Sequence, residues 1–230
     1  MAHALAGAAQ KTGKASIQMF TRSSPLPSSL EADEVWITCK RIDLDQVLET
    51  WSPLLKSDTT PLFLIQNGLG LTEQLAPLLG DRPFIRAACW WGARWSHGVI
   101  EMTAPPRRMT FAGQGDAPFW NEAGFSMEQL PASEALLLEW RKALTNLTLN
   151  GLLALHQLPN EALLGKVDLL NRARLLHDEA RSIATALSIP LPAAELTWQD
   201  ALQTAKNTPK NRNSLLQDLE ARRSWELPWL

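Results

Sequence analysis

The chain has 230 residues, 45% of them hydrophobic, and a formal net charge of −2, enough apolar material for one large core or two small ones. The near-neutral charge gives no electrostatic case for nucleic acid or an anionic membrane surface, and no stretch reaches the ~18 apolar residues of a membrane span. Cys39 and Cys89 lie far apart in apolar runs and read as buried thiols of a reducing compartment; with no hydrophobic signal segment at the N-terminus, a soluble cytoplasmic protein is expected.

Residues 1–12 have helical composition and stop at Gly13. Residues 16–21 read as a strand ending at Arg22, followed by a Ser/Pro-rich loop over 23–29. A second strand over 34–39 ends on Lys40, and a helix follows over 45–55. A third strand over 61–66 runs into Asn67-Gly68-Leu69-Gly70, and a helix follows over 72–79. This alternation is the rhythm of a parallel α/β sheet. Ligands of such sheets bind beyond the carboxyl ends of the strands, where Arg22, Lys40 and Asn67 would all sit.

Two phosphate-binding motifs fail. Gly13-Lys14 follows Gly7 at the wrong distance and Ala15 stands where a P-loop needs Ser or Thr; Gly68-Leu69-Gly70 lacks a third glycine and reads as a tight turn. Residues 84–91, 98–103 and 108–112 read as further strands, the last two joined through Pro105-Pro106 and continuing the sheet in antiparallel sense. A helix is expected at 117–123 and a domain boundary near Pro131. From Ser133 onward the pattern is helical, with breaks at Pro159-Asn160, 189–192 and Thr208-Pro209. The histidines show no metal or triad spacing, and the ten tryptophans show no stacking period and read as filler. Arg172, Arg174 and Arg181, with Asp178 and Glu179 between them, suggest a solvated helix face.

The helix from about 136 to 153 is apolar around most of its circumference, yet carries Lys142, Asn146 and Asn150 at steps of four. Such steps form one stripe, and buried amides or an ammonium need partners. Either the asparagines bridge neighbouring backbone and Lys142 reaches solvent, or the three await a ligand.

In order along the chain, the strand ending in Lys40, Gln66-Asn67-Gly68-Leu69-Gly70, Trp140-Arg141-Lys142 with Asn146 and Asn150, and Asn213-Ser214-Leu215-Leu216-Gln217-Asp218 followed by Glu226 together resemble the ketopantoate reductases. The resemblance covers nearly the whole chain. It implies an α/β fold with a Rossmann-type NADP-binding domain over 1–131 and an all-helical substrate and dimerisation domain over 132–230, with the site in the cleft between them. It also implies an NADPH-dependent reduction of 2-dehydropantoate to pantoate in pantothenate and coenzyme A synthesis. Lys142 would be the general acid and Glu226 would face it at the reacting end of the cofactor. Asn67, Asn146, Asn150, Asn160 and Ser214 would hold the substrate. Arg22, Lys40, Asn67, Ala93 and Glu226 would line the cofactor, Arg22 meeting the 2′-phosphate. The expected partners are a small 2-keto acid and at most a second copy of the chain, as monomer or homodimer, with no metal, nucleic acid or membrane.

Relative to that family the chain is expected to be shortened at both ends. It begins inside the first helix, without the preceding strand and Gly-x-Gly-x-x-Gly loop, and it stops soon after Glu226. A miscalled start, a frameshift or gene decay would each produce this. The alternative expectation is therefore a catalytically inactive remnant that acts at most as a binding protein.

Overall fold

A computed structural model describes every residue except 22, 55–58, 98, 103–106, 227, 229 and 230. The expectations on Arg22 and on the Pro105-Pro106 connection lie outside the described residues.

Three short parallel strands, β1 (Val35–Ile37), β2 (Leu62–Leu64) and β3 (Phe84–Cys89), form one side of a five-stranded sheet. Helices α2 (Arg41–Trp51) and α3 (Leu71–Leu79) make the crossovers. Side chains alternate across a strand, and β2 divides accordingly. Leu62 and Leu64 pack with Leu44 and Leu48 of α2 and Leu71, Leu75 and Leu79 of α3. Phe63 faces the other way, into a core with Ile85, Met109 and Phe111, and Trp36 stacks on it at 4.4 Å. Helix α1 (Ala2–Lys11) joins that second face through Leu5 and the small residues Ala4, Ala8 and Ala9, which let helix and sheet approach closely.

The sheet continues with β6 (Arg108–Ala112), antiparallel to β3, and β7 (Ser126–Leu130), parallel to β6. Between β6 and β7 lies α4 (Ala117–Glu122), capped by Asp116, whose side chain accepts from Phe119 N. A separate hairpin pairs β4 (Ala93–Ser96) with β5 (Val99–Met102). After Leu130 the chain is helical. Helix α5 (Ala135–Asn146) passes through a π-turn (Leu147–Gly151) into α6 (Leu152–Leu155). There follow α7 (Ala162–Gly165), α8 (Val167–Ala186), α9 (Ala194–Asn207) and α10 (Ser214–Glu220). No described helix is long and apolar enough to cross a membrane.

Three expectations are corrected. Residues 16–21 are extended but form no ladder. Ile17 packs on the core, while Met19 and Phe20 stay exposed, and without a neighbouring strand an extended segment is not a strand. The strands at 99–102 and 108–112 are not partners; β5 pairs with β4, and β6 with β3. Helix α2 starts directly after Lys40 rather than at Asp45, because its first amide finds a distant acceptor, Glu226, on the C-terminal segment. Strands β4 and β7 were not expected at all.

Candidate active site

Because β1, β2 and β3 are parallel, their carboxyl ends lie on one side of the sheet, and the residues just beyond them converge. Gln66 ties two of these ends together, donating from Nε2 to the Ile37 carbonyl at 2.8 Å and the Cys39 carbonyl at 3.1 Å. The next turn presents Asn67, and the chain escapes through Gly68 at φ 125° and Gly70 at φ 72°, conformations that glycine adopts without steric cost.

Arg86 fixes this turn from below. Its NH1 and NH2 groups donate to the Leu64 carbonyl at 2.7 Å and the Gln66 carbonyl at 2.9 Å. Its Nε donates to Glu139 on α5 at 2.8 Å, and both side chains are buried. Glu139 Oε1 also accepts from the amide and hydroxyl of Thr72, at the start of α3. One ion pair thus joins two strands and two helices. Neither residue was singled out from sequence. The available signal was a lone charge inside each apolar run, Phe84-Ile85-Arg86-Ala87-Ala88-Cys89 and Leu136-Leu137-Leu138-Glu139-Trp140, with opposite signs.

Above the pair is a cavity of about 200 Å³ between the sheet end and the helices, lined among others by Asn67, Ala93, Lys142, Asn146, Asn150, Asn160 and Ser214. The polar stripe of α5 therefore does face one cavity. The π-turn at Leu147–Gly151 falls between Asn146 and the next turn, and such turns re-aim side chains, often at functional sites. Asn146 Nδ2 donates across the cleft to Asn67 Oδ1 at 3.2 Å. Asn160 is buried, donates to Thr208 Oγ1 at 2.8 Å, and leaves its Oδ1 without a partner. Asn213 caps α10, accepting from Leu216 N at 3.0 Å, and its amide donates to the Asn150 carbonyl at 3.4 Å, which presents Ser214 at the cavity wall.

Lys142 does not reach for solvent. Its Nζ donates to the Cys89 carbonyl at 2.8 Å and lies 4.9 Å from the centroid of Trp90. Burial brings its pKa down to about 8; the nearby Cys89 thiol pushes the other way and the Arg108 guanidinium adds to the lowering. Burial also raises the Cys89 thiol to about 11, so it is protonated at neutral pH and is no nucleophile.

The C-terminal segment closes the far side. Glu226 Oε1 accepts from Arg41 N at 2.8 Å, and its Oε2 accepts from Asn67 Nδ2 at 3.4 Å. Lys40 donates to Asp218 at 2.5 Å and to the Ser224 carbonyl at 3.3 Å, and Arg223 shares Asp218 at 3.1 Å. Among the predicted residues, then, Asn67, Ala93, Asn146, Asn150, Asn160, Ser214 and Lys142 share one cavity. Glu226 joins it through Asn67, and Lys40 stands outside, engaged by Asp218.

The profile described as ketopantoate reductase PanE/ApbA matches residues 8–115, and that described as its C-terminal part matches residues 134–230. The chain belongs to the ketopantoate reductase family. It is 26% identical over 221 residues to the 2-dehydropantoate 2-reductase of Vibrio cholerae, covering 91% of the chain and 72% of that protein. It is 25% identical over 227 residues to the corresponding protein of Archaeoglobus fulgidus, covering 94% and 71%. The PanE/ApbA family ketopantoate reductase of Ralstonia eutropha shares the fold, with a TM-score of 0.71 at 21% identity, over 86% of this chain and 66% of that one. D-mandelate dehydrogenase with NADH and anilino(oxo)acetate does so with a TM-score of 0.73 at 18% identity, over 88% and 69%. The chain thus spans about two thirds to three quarters of the relatives it matches, in a family of oxidoreductases.

Proposed function

We propose that this ketopantoate reductase family member reduces a small 2-keto acid, 2-dehydropantoate, to its 2-hydroxy acid with NADPH. Residues 1–131 would carry the cofactor and residues 132–230 the substrate. The single observation that carries the reading is Lys142, an ammonium held at the cavity wall by one carbonyl and a ring face instead of a carboxylate. An acid with a pKa near 8 is charged at neutral pH yet gives up its proton readily.

In this reading Lys142 donates its Nζ proton to the ketone oxygen as the adjacent carbon is reduced. When bound, NADPH supplies the hydride that this carbon accepts. Asn146, Asn150, Asn160 and Ser214 hold the substrate's carboxylate and hydroxyl, the open Asn160 Oδ1 accepting from a hydroxyl. Asn67, Ala93 and Glu226 border the reacting end of the cofactor, with Lys40 near it. Protonation and hydride addition together balance the reduction.

One observation favours the second reading, a binding protein without turnover. The cavity of about 200 Å³ is below the roughly 300–1,000 Å³ of typical ligand pockets. A space of that size suits a small keto acid by itself better than the acid together with the nicotinamide end of a cofactor. Fluorescence titration of the purified chain with NADPH separates the two. Micromolar binding followed by turnover of 2-dehydropantoate supports the reductase; a folded protein that ignores millimolar NADPH but binds the keto acid refutes it. The S. aureus ketopantoate reductase that shares this fold is described as dimeric. Helix α8 leaves Leu175 and Ile183 exposed, which favours a homodimer over a monomer; light scattering of the eluted protein decides.

A further inference from the structure

Trp90 is the residue around which the charges of this end of the molecule collect. It lies one position beyond β3, and its indole is buried. Its Nε1 donates to Thr110 Oγ1 at 2.9 Å, and that hydroxyl donates onward to Glu128 at 2.8 Å. The ring is therefore fixed in its plane. Three cations meet it: the Arg108 guanidinium carbon at 4.3 Å from the centroid, Lys142 Nζ at 4.9 Å, and the Arg141 guanidinium carbon at 5.9 Å. Both arginines are neutralised elsewhere. Asp200 of α9 accepts from Arg108 at 3.4 Å and from Arg141 at 3.1 Å, and Glu128 accepts from Arg141 at 3.4 Å.

Lys142 alone of the three has no carboxylate among the described contacts. The titratable groups that surround it are Cys89 and Arg86 from β3, Arg108 from β6, Glu139 and Arg141 on its own helix, and the α-amino group of Met1, which lines the same cavity. Arg86 and Glu139 neutralise each other. The remaining hold on the ammonium is the Cys89 carbonyl and the negative face of the indole, a site where cation–π attraction is strong because water is largely excluded.

We propose that Trp90 is a positioning residue for Lys142: its ring face, shared with Arg108, seats the ammonium at the cavity wall. The ring attracts the charged form and Arg108 repels it, so the two side chains set the acid's strength in opposite directions. This rests on Lys142 as the proton donor, but the geometry is independent of which keto acid is reduced.

The test is a titration of Lys142 itself in the full chain. Reductive ¹³C-methylation and NMR follow each lysine, and the Lys142 signal is the one missing from Lys142→Arg. Trp90→Leu keeps the site dry and removes the ring face, so the midpoint falls by about half a unit to one and a half units. Trp90→Phe retains a ring face and falls less. Arg108→Gln, on a side chain that is partly exposed, raises the midpoint. Where turnover is measurable, the alkaline limb of its pH profile moves with the midpoint while KM stays put. A midpoint unmoved by Trp90→Leu and Arg108→Gln, or moved the same way by both, overturns the proposal. Should Trp90→Leu fail to fold, Trp90→Phe and Arg108→Gln still decide. The NMR signal reports on Lys142 with or without activity, so absent turnover refutes the functional reading and leaves this result readable.

Discussion

Two charged residues of α5, Glu139 and Lys142, lie three positions apart and point into the same end of the molecule, yet their surroundings differ. Glu139 is buried, and its Oε1 accepts from Arg86 and twice from Thr72, all anchored on neighbouring elements, while its Oε2 has no partner among the described residues. Lys142 has one backbone carbonyl and a ring face. Removing charge from water is costly, and close, well-bonded partners of opposite sign offset most of the cost. Where a buried opposite charge is bound, as Arg86 is by Glu139, the charge belongs to the architecture. Where no opposite charge is bound among the described residues and the group lines a cavity, as at Lys142, the residual cost is expressed as a shifted pKa and a readiness to exchange a proton.

That contrast is open to attack from both sides. The largest effect is expected at Lys142. Lys142→Met should lower turnover of 2-dehydropantoate by about 10²–10⁴-fold, while raising Tm by roughly 2–4 °C because an under-partnered charge has been removed. In the parent protein the rate should fall above pH 8, the value to which Lys142 is lowered, as the acid form disappears; a flat alkaline limb would contradict the acid role. If Lys142→Met instead destabilises the fold, the ammonium is better partnered than its contacts suggest.

Arg86→Met should do the reverse. It strands the Glu139 carboxylate and should cost about 3–5 kcal/mol, a fall in Tm of roughly 10 °C. Adding Glu139→Leu should restore most of it; calorimetry that finds the two losses simply additive would show that the pair is not one unit.

Glu226→Ala has a smaller expected cost, about 1 kcal/mol, since it removes the acceptor of the first amide of α2 and a bond to Asn67. Urea melts should show it, and hydrogen exchange should locate the change at Arg41.

The smallest effect is expected at His177, which is not among the residues that line the cavity. It is buried between Thr197 and Asp178 and packs against Trp198, with Arg174 and Arg181 nearby. Burial holds its pKa below the ordinary 6.5. The native state therefore binds fewer protons than the unfolded chain once the pH drops below 6.5. Stability should be unaffected above that value and decline as the pH falls through 6.5 toward the lowered native pKa. The difference in Tm between pH 7.5 and 5.5 should shrink in His177→Gln; an unchanged difference would place the titrating group elsewhere.

Much of this is written locally. The alternation of apolar runs and helical stretches carries the parallel half of the sheet, and the step of four along α5 carries the stripe that lines the cavity. Asn67 was legible because a polar residue before a glycine turn, after a buried strand, lies beyond a sheet's carboxyl edge. The start of α2 was not, because its acceptor comes from 185 residues further along. Strand β7 was not, because Ser126-Met127-Glu128-Gln129-Leu130 is half polar and owes its conformation to pairing with β6. Trp90 read as filler since nothing in its neighbours names the cations it meets.

The amino-acid sequence by itself determined the α/β-then-helical order, the family, and the lysine and asparagines of the stripe. These follow from periodicity and from residues fixed at short spacings. Only the tertiary structure decided which charges are matched. Whether Glu139 finds Arg86, or Lys142 finds a carbonyl and an indole but no carboxylate among the described residues, depends on elements tens of residues apart meeting where water has been excluded.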